Sequence, residues 1–263
     1  MKAIILAAGR GSRLGNMSEE SPKCRVDLGG VPMIERQIAT YRSAGITDIT
    51  LVTGYKAELL RFDGVANAHN PDWADTNMVE TLFCASQSFG GDVIVSYGDI
   101  VYETRVLDAV IGASDPISVI VDRQWRPYWE ARFENPLDDA ESLRLDAAGD
   151  ITEIGGTAGH IDEIEGQYIG LMRFQGTGVD LLRDVGTSLD RFPRDWMTRR
   201  PVAKAYMTDL LMEMILRGHK VHAVPIDGGW LEIDTPEDYS LASALFDGER
   251  VFPWFAPDGV ASP

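Results

Sequence analysis

Short apolar, β-branched-rich runs alternate along this chain with stretches of helical period, and that rhythm constrains its fold more than any other feature. The first run, 2–7, is continuously apolar after Lys2, as expected of a strand buried on both faces. It empties into Ala8-Gly-Arg-Gly-Ser-Arg-Leu-Gly15, a loop by composition. Pro32 then suits the first position of a helix whose buried face carries Ile34, Ile38 and Tyr41 at i, i+4 and i+7, with Gly45 beyond its end. Strand 46–52, helix 78–88, strand 92–97, helix 103–111 and strand 117–121 follow. Later come strand 167–174, helix 207–217, strand 221–224 and helix 236–245. Parallel strands need crossover connections and helices supply them, so the expectation is α/β: a mainly parallel sheet with helices on both faces.

Between about 123 and 165 the sequence turns aromatic, acidic and turn-rich, with short strands expected at 143–146 and 151–154 around Ala148-Gly149-Asp150. It reads as a small lid-like insertion covering one edge of a site. No repeat, linker or low-complexity stretch divides the chain, so 1–263 is expected to form a single domain.

The 263 residues carry 41 acidic and 24 basic side chains, a formal net charge of −17. Such a surface repels a phosphate backbone and no Lys/Arg run makes a local exception, so no nucleic-acid partner is expected. The N-terminal apolar run 3–8 is shorter than a signal-peptide core and far short of the roughly 20 residues of a membrane span. A cytoplasmic location and no membrane partner are expected. Cys24 and Cys84 lack disulfide or zinc spacing and read as buried small apolar residues, and the histidines show no metal spacing.

The chemistry-bearing features are three. In Gly9-Arg-Gly-Ser-Arg-Leu-Gly15 the glycines fall at positions one, three and seven; a dinucleotide fingerprint needs a small residue at six, where Leu14 stands. Nor does Gly-Lys-Ser/Thr end the loop, so it is not a Walker A motif. What remains is a set of backbone donors with Arg10, Arg13 and, after Pro22, Lys23: either a basic surface turn or a site that neutralises a polyphosphate. The second feature is a pair of carboxylates at strand ends, Asp99 and Asp234, with Glu232 two residues earlier on the same face. Oxygen-only ligands suit Mg²⁺, while a turn carboxylate and a helix cap are the plainer alternatives. The third is aromatic and acidic: Asp122, Trp125, Tyr128, Trp129, Arg132, Asp139, Glu141, Glu165, Tyr168 and Trp230. Aromatic faces with nearby carboxylates favour a cation, and Arg132 can hold a phosphate, although Trp and Tyr also simply fill cores.

LAAGRGSRLG followed by Pro22-Lys23 resembles the signature of the nucleotidyltransferases, GT-A-like and MobA-like NTP transferases that join an NTP to a small phosphorylated acceptor. TGYKAE, DTNMVETL, SYGDI, DRQWRPYWEARFENPLDDAE, EIEGQYIGL and GGWLEIDTPED are similar to the phosphocholine cytidylyltransferase-like branch, so the resemblance runs to about Leu245. Cys24 stands where the family commonly has leucine, and Thr81-Leu82 where it has Ser-Leu. The resemblance implies a Rossmann-like fold and a Mg²⁺-dependent transfer of CMP from CTP to a small phosphorylated or phosphonate, amine-bearing acceptor, with pyrophosphate released. It implies that Leu6, Ala7, Ala8, Gly9, Arg10, Gly11, Ser12, Arg13, Lys23, Tyr55, Asn77 and Gly98 hold the nucleotide. Lys23, Arg13, Asp99 and Asp234 would be catalytic, with Asp99, Glu232 and Asp234 on the metal. Asp122, Trp125, Trp129, Arg132, Glu165, Tyr168 and Trp230 would face the acceptor. The alternatives are a sugar-1-phosphate nucleotidyltransferase, a non-catalytic nucleotide-binding protein, and a glycosyltransferase, which lacks its expected Asp-x-Asp here. Whether the chain is a monomer or homodimer is open.

Overall fold

The computed structural model describes residues 1–191, 198 and 200–263. Its strands are β1 (Lys2–Ala7), β2 (Asp27–Leu28), β3 (Val31–Pro32), β4 (Ile49–Thr53), β5 (Val65–His69), β6 (Asp92–Tyr97), β7 (Ile100–Tyr102), β8 (Ile117–Asp122), β9 (Glu141–Leu145), β10 (Ile151–Thr157), β11 (Gln167–Gln175), β12 (His222–Ile226) and β13 (Trp230–Glu232). Its α-helices are α1 (Met33–Ser43), α2 (Met78–Cys84), α3 (Thr104–Gly112), α4 (Trp125–Arg132), α5 (Thr177–Arg191), α6 (Met207–Leu216) and α7 (Pro236–Phe246).

One sheet runs in the order β12-β8-β11-β6-β1-β4-β5. Every pair in it is parallel except the two made by β11, which is antiparallel to β6 and to β8. Side chains alternate across a strand, and that alternation sorts the core into two layers. Ala3, Ile5, Leu51, Ile94, Ile120 and Leu171 face one layer with α1, α3, α4 and α7. Ile4, Leu6, Val52, Val95, Val119 and Met172 face the other with α2, α5 and α6. The α/β fold with helices on both faces is therefore what the apolar pattern specifies.

Local differences have physical causes. Pro32 caps α1 from outside rather than opening it, because it pairs with Asp27 in the β2/β3 ribbon. Helix α2 stops at Cys84 and a 3-10 turn, Ser86–Ser88, completes the stretch. Cys84 is exposed, not buried, since Val79 and Leu82 take the inward positions of that short helix. Stretch 123–165 divides between the two layers: α4 buries Trp125, Tyr128 and Trp129 on one face, while the β9/β10 hairpin sends Leu143, Ile151 and Ile154 to the other. No helix among the described residues is long and apolar enough to cross a membrane.

Leu171 lies fully buried on β11, the one strand that reverses the sheet's direction. Leu171→Ala is expected to lower stability by about 2–5 kcal/mol, the range for a large-to-small change in a packed core, as read from the urea unfolding midpoint.

Candidate active site

Strand β1 lies between β4 and β6, so the chain leaves it to one side and later returns on the other. Loops diverge at such a reversal and open a crevice at the carboxyl ends of the strands. The ends of β1 and β6 stay stitched by Gly98 N–H donating to Leu6 O at 2.9 Å. Beyond Ala8 the glycine loop folds back on itself, its Gly11 carbonyl accepting from Ser18 Oγ at 2.8 Å. Gly11 has φ of 75°, and a Cβ there would lie 2.6 Å from Lys23 Cβ. Only glycine therefore lets the loop pass over the stem of Lys23.

Asp99 follows β6 by one residue, Gly98, and β7 after it pairs with β13, setting Glu232 opposite Ile100. Ile233 N–H donating to Asp99 O at 3.0 Å extends that ribbon towards Asp234. One carboxylate oxygen from each of Asp99, Glu232 and Asp234 lies within 4.8 Å of the others. Lys23 Nζ donates to Asp99 at 2.6 Å and also to Asp234, which accepts from Arg13 at 2.6 Å as well. Asp99 Oδ1 is buried without a hydrogen-bond partner. Burial pushes the Glu232 carboxyl above its ordinary range, opposed by Arg132 and reinforced by Asp99. Three clustered hard oxygen donors, one with an unused buried oxygen, fit a divalent cation.

Two clefts meet at this cluster. The first, about 310 Å³, is lined by Leu6, Ala7, Ala8, Gly9, Gly11, Ser12, Arg13, Lys23, Asn77 and Gly98 together with the three carboxylates. The second, about 260 Å³, is lined by Trp129, Tyr168 and Trp230, with Asp139 and Glu141 at its acidic end. Arg13, Met78, Tyr206, Glu232 and Asp234 belong to both.

Several expected site residues lie elsewhere. Arg10 is exposed, its guanidinium over the Tyr55 ring at 5.7 Å, and neither lines a cleft. Tyr55 stands behind Trp73 with ring centres 5.2 Å apart, and Trp73 lines the cleft in its place. Asp122 does not line the second cleft: it is buried and accepts from Trp230 Nε1 and from the Gly228 and Gln124 amides. Burial pushes its carboxyl upward while those three donors pull it down. Trp125 is a core residue, edge-on to Trp129 at 5.7 Å, and Glu165 is exposed and accepts from Leu145 N–H at 2.5 Å. Arg132 cannot hold an acceptor phosphate, because its side chain is 1% exposed and already paired with Asp238 and Glu232. Residues the sequence reading missed include Trp73, Thr76, Tyr97, Gln167, Tyr206 and Thr208. One signal for Trp73 existed: a Cβ on Gly54 would lie 2.6 Å from Trp73 Cβ, so that glycine marks a close approach.

Residues 3–150 match the MobA-like NTP transferase domain. The chain belongs to that family. It is a nucleotidyltransferase, and it is 38% identical over 253 residues to the CTP:phosphoglutamine cytidylyltransferase of Campylobacter jejuni, covering 92% of this chain and 98% of that one. The choline-phosphate cytidylyltransferase of Haemophilus influenzae is 30% identical over 159 residues, 58% of this chain and 68% of that one. Among solved structures, the CTP:phosphocholine cytidylyltransferase from Streptococcus pneumoniae shares the fold with a TM-score of 0.69 at 21% identity, covering 92% of this chain and 97% of that one.

Two outcomes follow from the charges. Burial pushes the Glu141 carboxyl up to about 7, with Asp209 and Asp139 adding to the rise and Arg200 opposing it. The folded state thus binds the extra proton between the ordinary carboxyl value of 4.5 and about 7, and stability falls as pH rises through that window. Glu141→Gln is expected to flatten the fall in Tm between pH 5 and 8; an unchanged slope would remove Glu141 as its cause. Lys23→Ala leaves Asp99 facing Asp234 without their shared cation, so its Tm in EDTA is expected to drop below wild type and to recover on adding a divalent cation.

Proposed function

We propose that the chain is a Mg²⁺-dependent cytidylyltransferase that moves CMP from CTP to a small phosphorylated or phosphonate acceptor carrying an amine. The observation that carries this reading is the shared wall of the two clefts. Arg13, Glu232 and Asp234 line both, which puts one phosphoryl-binding cation and two of the three candidate metal ligands between a glycine-loop cleft and an aromatic, acidic one. The relatives support it from outside, since their names pair CTP or cytidylyl transfer with phosphoglutamine and choline phosphate, acceptors that join a phosphoryl group to a nitrogen group.

In this reading an acceptor oxygen attacks the α-phosphorus of CTP in line, the bond to the β-phosphate bridging oxygen breaks, and pyrophosphate leaves. A phosphate with second pKa about 6 is largely ionised at pH 7, so no general base is needed and rate comes from positioning and charge. Asp99, Glu232 and Asp234 would hold Mg²⁺, which when bound supplies charge neutralisation for the phosphate oxygens. The Gly9 and Gly11 amides and the Arg13 and Lys23 side chains stabilise the triphosphate. Lys23 and Arg13 make their present bonds to Asp99 and Asp234, at the edge of the nucleotide cleft, within reach of incoming phosphates. In the second cleft Trp129, Tyr168, Trp230 and Tyr97 supply an aromatic lining for a cation, and Asp139 with Glu141 would offset a positive head group.

Turnover is measured by pyrophosphate release with CTP, Mg²⁺ and, in turn, phosphoglutamine, phosphocholine, aminoethylphosphonate and glucose-1-phosphate. The amine-bearing acceptors are expected to be preferred, and preference for glucose-1-phosphate would overturn the acceptor assignment. Tyr168→Ala is expected to raise the acceptor KM roughly 2- to 30-fold while the KM for CTP stays near wild type, which matches about 0.5–2 kcal/mol for one cation–aromatic contact. Asp99→Asn is expected to abolish turnover, since it removes a metal ligand; activity that persists in EDTA would sink the metal assignment.

A further inference from the structure

Arg132 lines neither cleft, yet its guanidinium pairs with Glu232 of the acidic cluster and with Asp238, which caps the helix that begins beside Asp234. We propose that Arg132 is a positioning residue for the cluster: its buried guanidinium holds Glu232 directly and Asp234 through Asp238, so that α4 sets the spacing of the carboxylates. The inference rests on the reading of Asp99, Glu232 and Asp234 as a metal site.

The need for such a device follows from the local structure. Strand β13 has three residues and pairs with β7 alone, and a short two-stranded ribbon is too weak to fix the side chains it carries. Helix α4 grips it twice, from residues one helical turn apart. Tyr128 Oη accepts from Glu232 N–H at 2.8 Å and donates to Glu232 O at 3.1 Å, which fixes the backbone. Arg132 Nη1 lies 3.1 Å from Glu232 Oε2, an ion pair without hydrogen-bond geometry that sets a buried positive charge against the carboxylate.

The opposite edge of the same guanidinium makes a forked pair with Asp238, Nε to Oδ1 at 2.8 Å and Nη2 to Oδ2 at 3.1 Å. Asp238 Oδ2 in turn accepts the Asp234 and Thr235 amides, both at 3.0 Å, as part of the cap that starts α7. A planar fork thereby locks the start of α7, and with it the backbone of Asp234, to the position of Glu232. The guanidinium is held in turn by the rings of Tyr128, Trp129 and Phe133, 5.2, 5.3 and 5.0 Å away. Lysine offers one ammonium centre in place of the fork and cannot reproduce both contacts.

Metal affinity measured without nucleotide or turnover tests the proposal, with Mn²⁺ as the probe and free Mn²⁺ read by electron paramagnetic resonance. Loss of a group that orients metal ligands typically weakens affinity about 10–100-fold, and Arg132→Met is expected to fall in that range with Arg132→Lys between it and wild type. Asp238→Asn is expected to weaken Mn²⁺ binding too, and the Arg132→Met/Asp238→Asn double variant to be less than additive, because both act through one contact. With Mg²⁺ saturating, kcat is expected to fall while the KM for CTP changes little. Near-UV circular dichroism reports folding, and if Arg132→Met does not fold, Arg132→Lys and Asp238→Asn decide. Folded variants that bind Mn²⁺ like wild type would overturn the positioning role and leave the metal site standing. A wild-type protein that binds no Mn²⁺ would overturn the metal reading and this inference with it.

Discussion

Three carboxylates within 4.8 Å of one another repel, and the architecture of the site is organised around offsetting that repulsion. Two like charges about 4 Å apart cost about 4 kcal/mol at an effective dielectric near 20, so such a cluster persists only with cations beside it. Arg13 reaches it from the glycine loop, Lys23 from the turn after Pro22, and Arg132 from helix α4. In the proposed reading Lys23 and Arg13 are the cations a phosphate chain recruits, while Arg132 stays in place against Glu232 and Asp238.

This division of labour explains why the aromatic stretch is partly core and partly site. Helix α4 packs Trp125, Tyr128 and Trp129 into one core layer, and of the three Trp129 also lines the second cleft. Trp230 belongs to both: its indole N–H is satisfied by buried Asp122 and its ring packs edge-on to Tyr128, while the residue also lines the second cleft. Asp122 is buried, accepts from three N–H donors and lines neither cleft, so it serves the framework.

Legibility followed the range of the interactions. Strands β1, β6 and β11 and helices α1 and α7 were readable because apolar periodicity and caps are properties of neighbouring residues. The edge strand β5 was not, since Val65-Ala-Asn-Ala-His69 buries little and pairs on one side only. Helix α5 was also missed: Val179, Leu182 and Val185 give it a face, but Gly178 and Gly186 weaken the local signal. Arg10 and Arg13 sit three residues apart in the same loop, and nothing local distinguishes the one that stacks on Tyr55 from the one that bonds Asp234.

The sequence by itself determined the α/β alternation, the glycine loop with its lysine, the carboxylates at strand ends and hence the family. Only the tertiary structure decided which of those groups meet. Lys23 and Asp99 are 76 positions apart and Arg13 and Asp234 are 221, so their contacts depend on strand order at the sheet reversal and not on spacing along the chain. The same holds for Arg132, whose composition and neighbours suit an exposed phosphate ligand. Its 106-residue reach to Asp238 buries it instead, and a buried guanidinium needs carboxylates beside it to offset its charge.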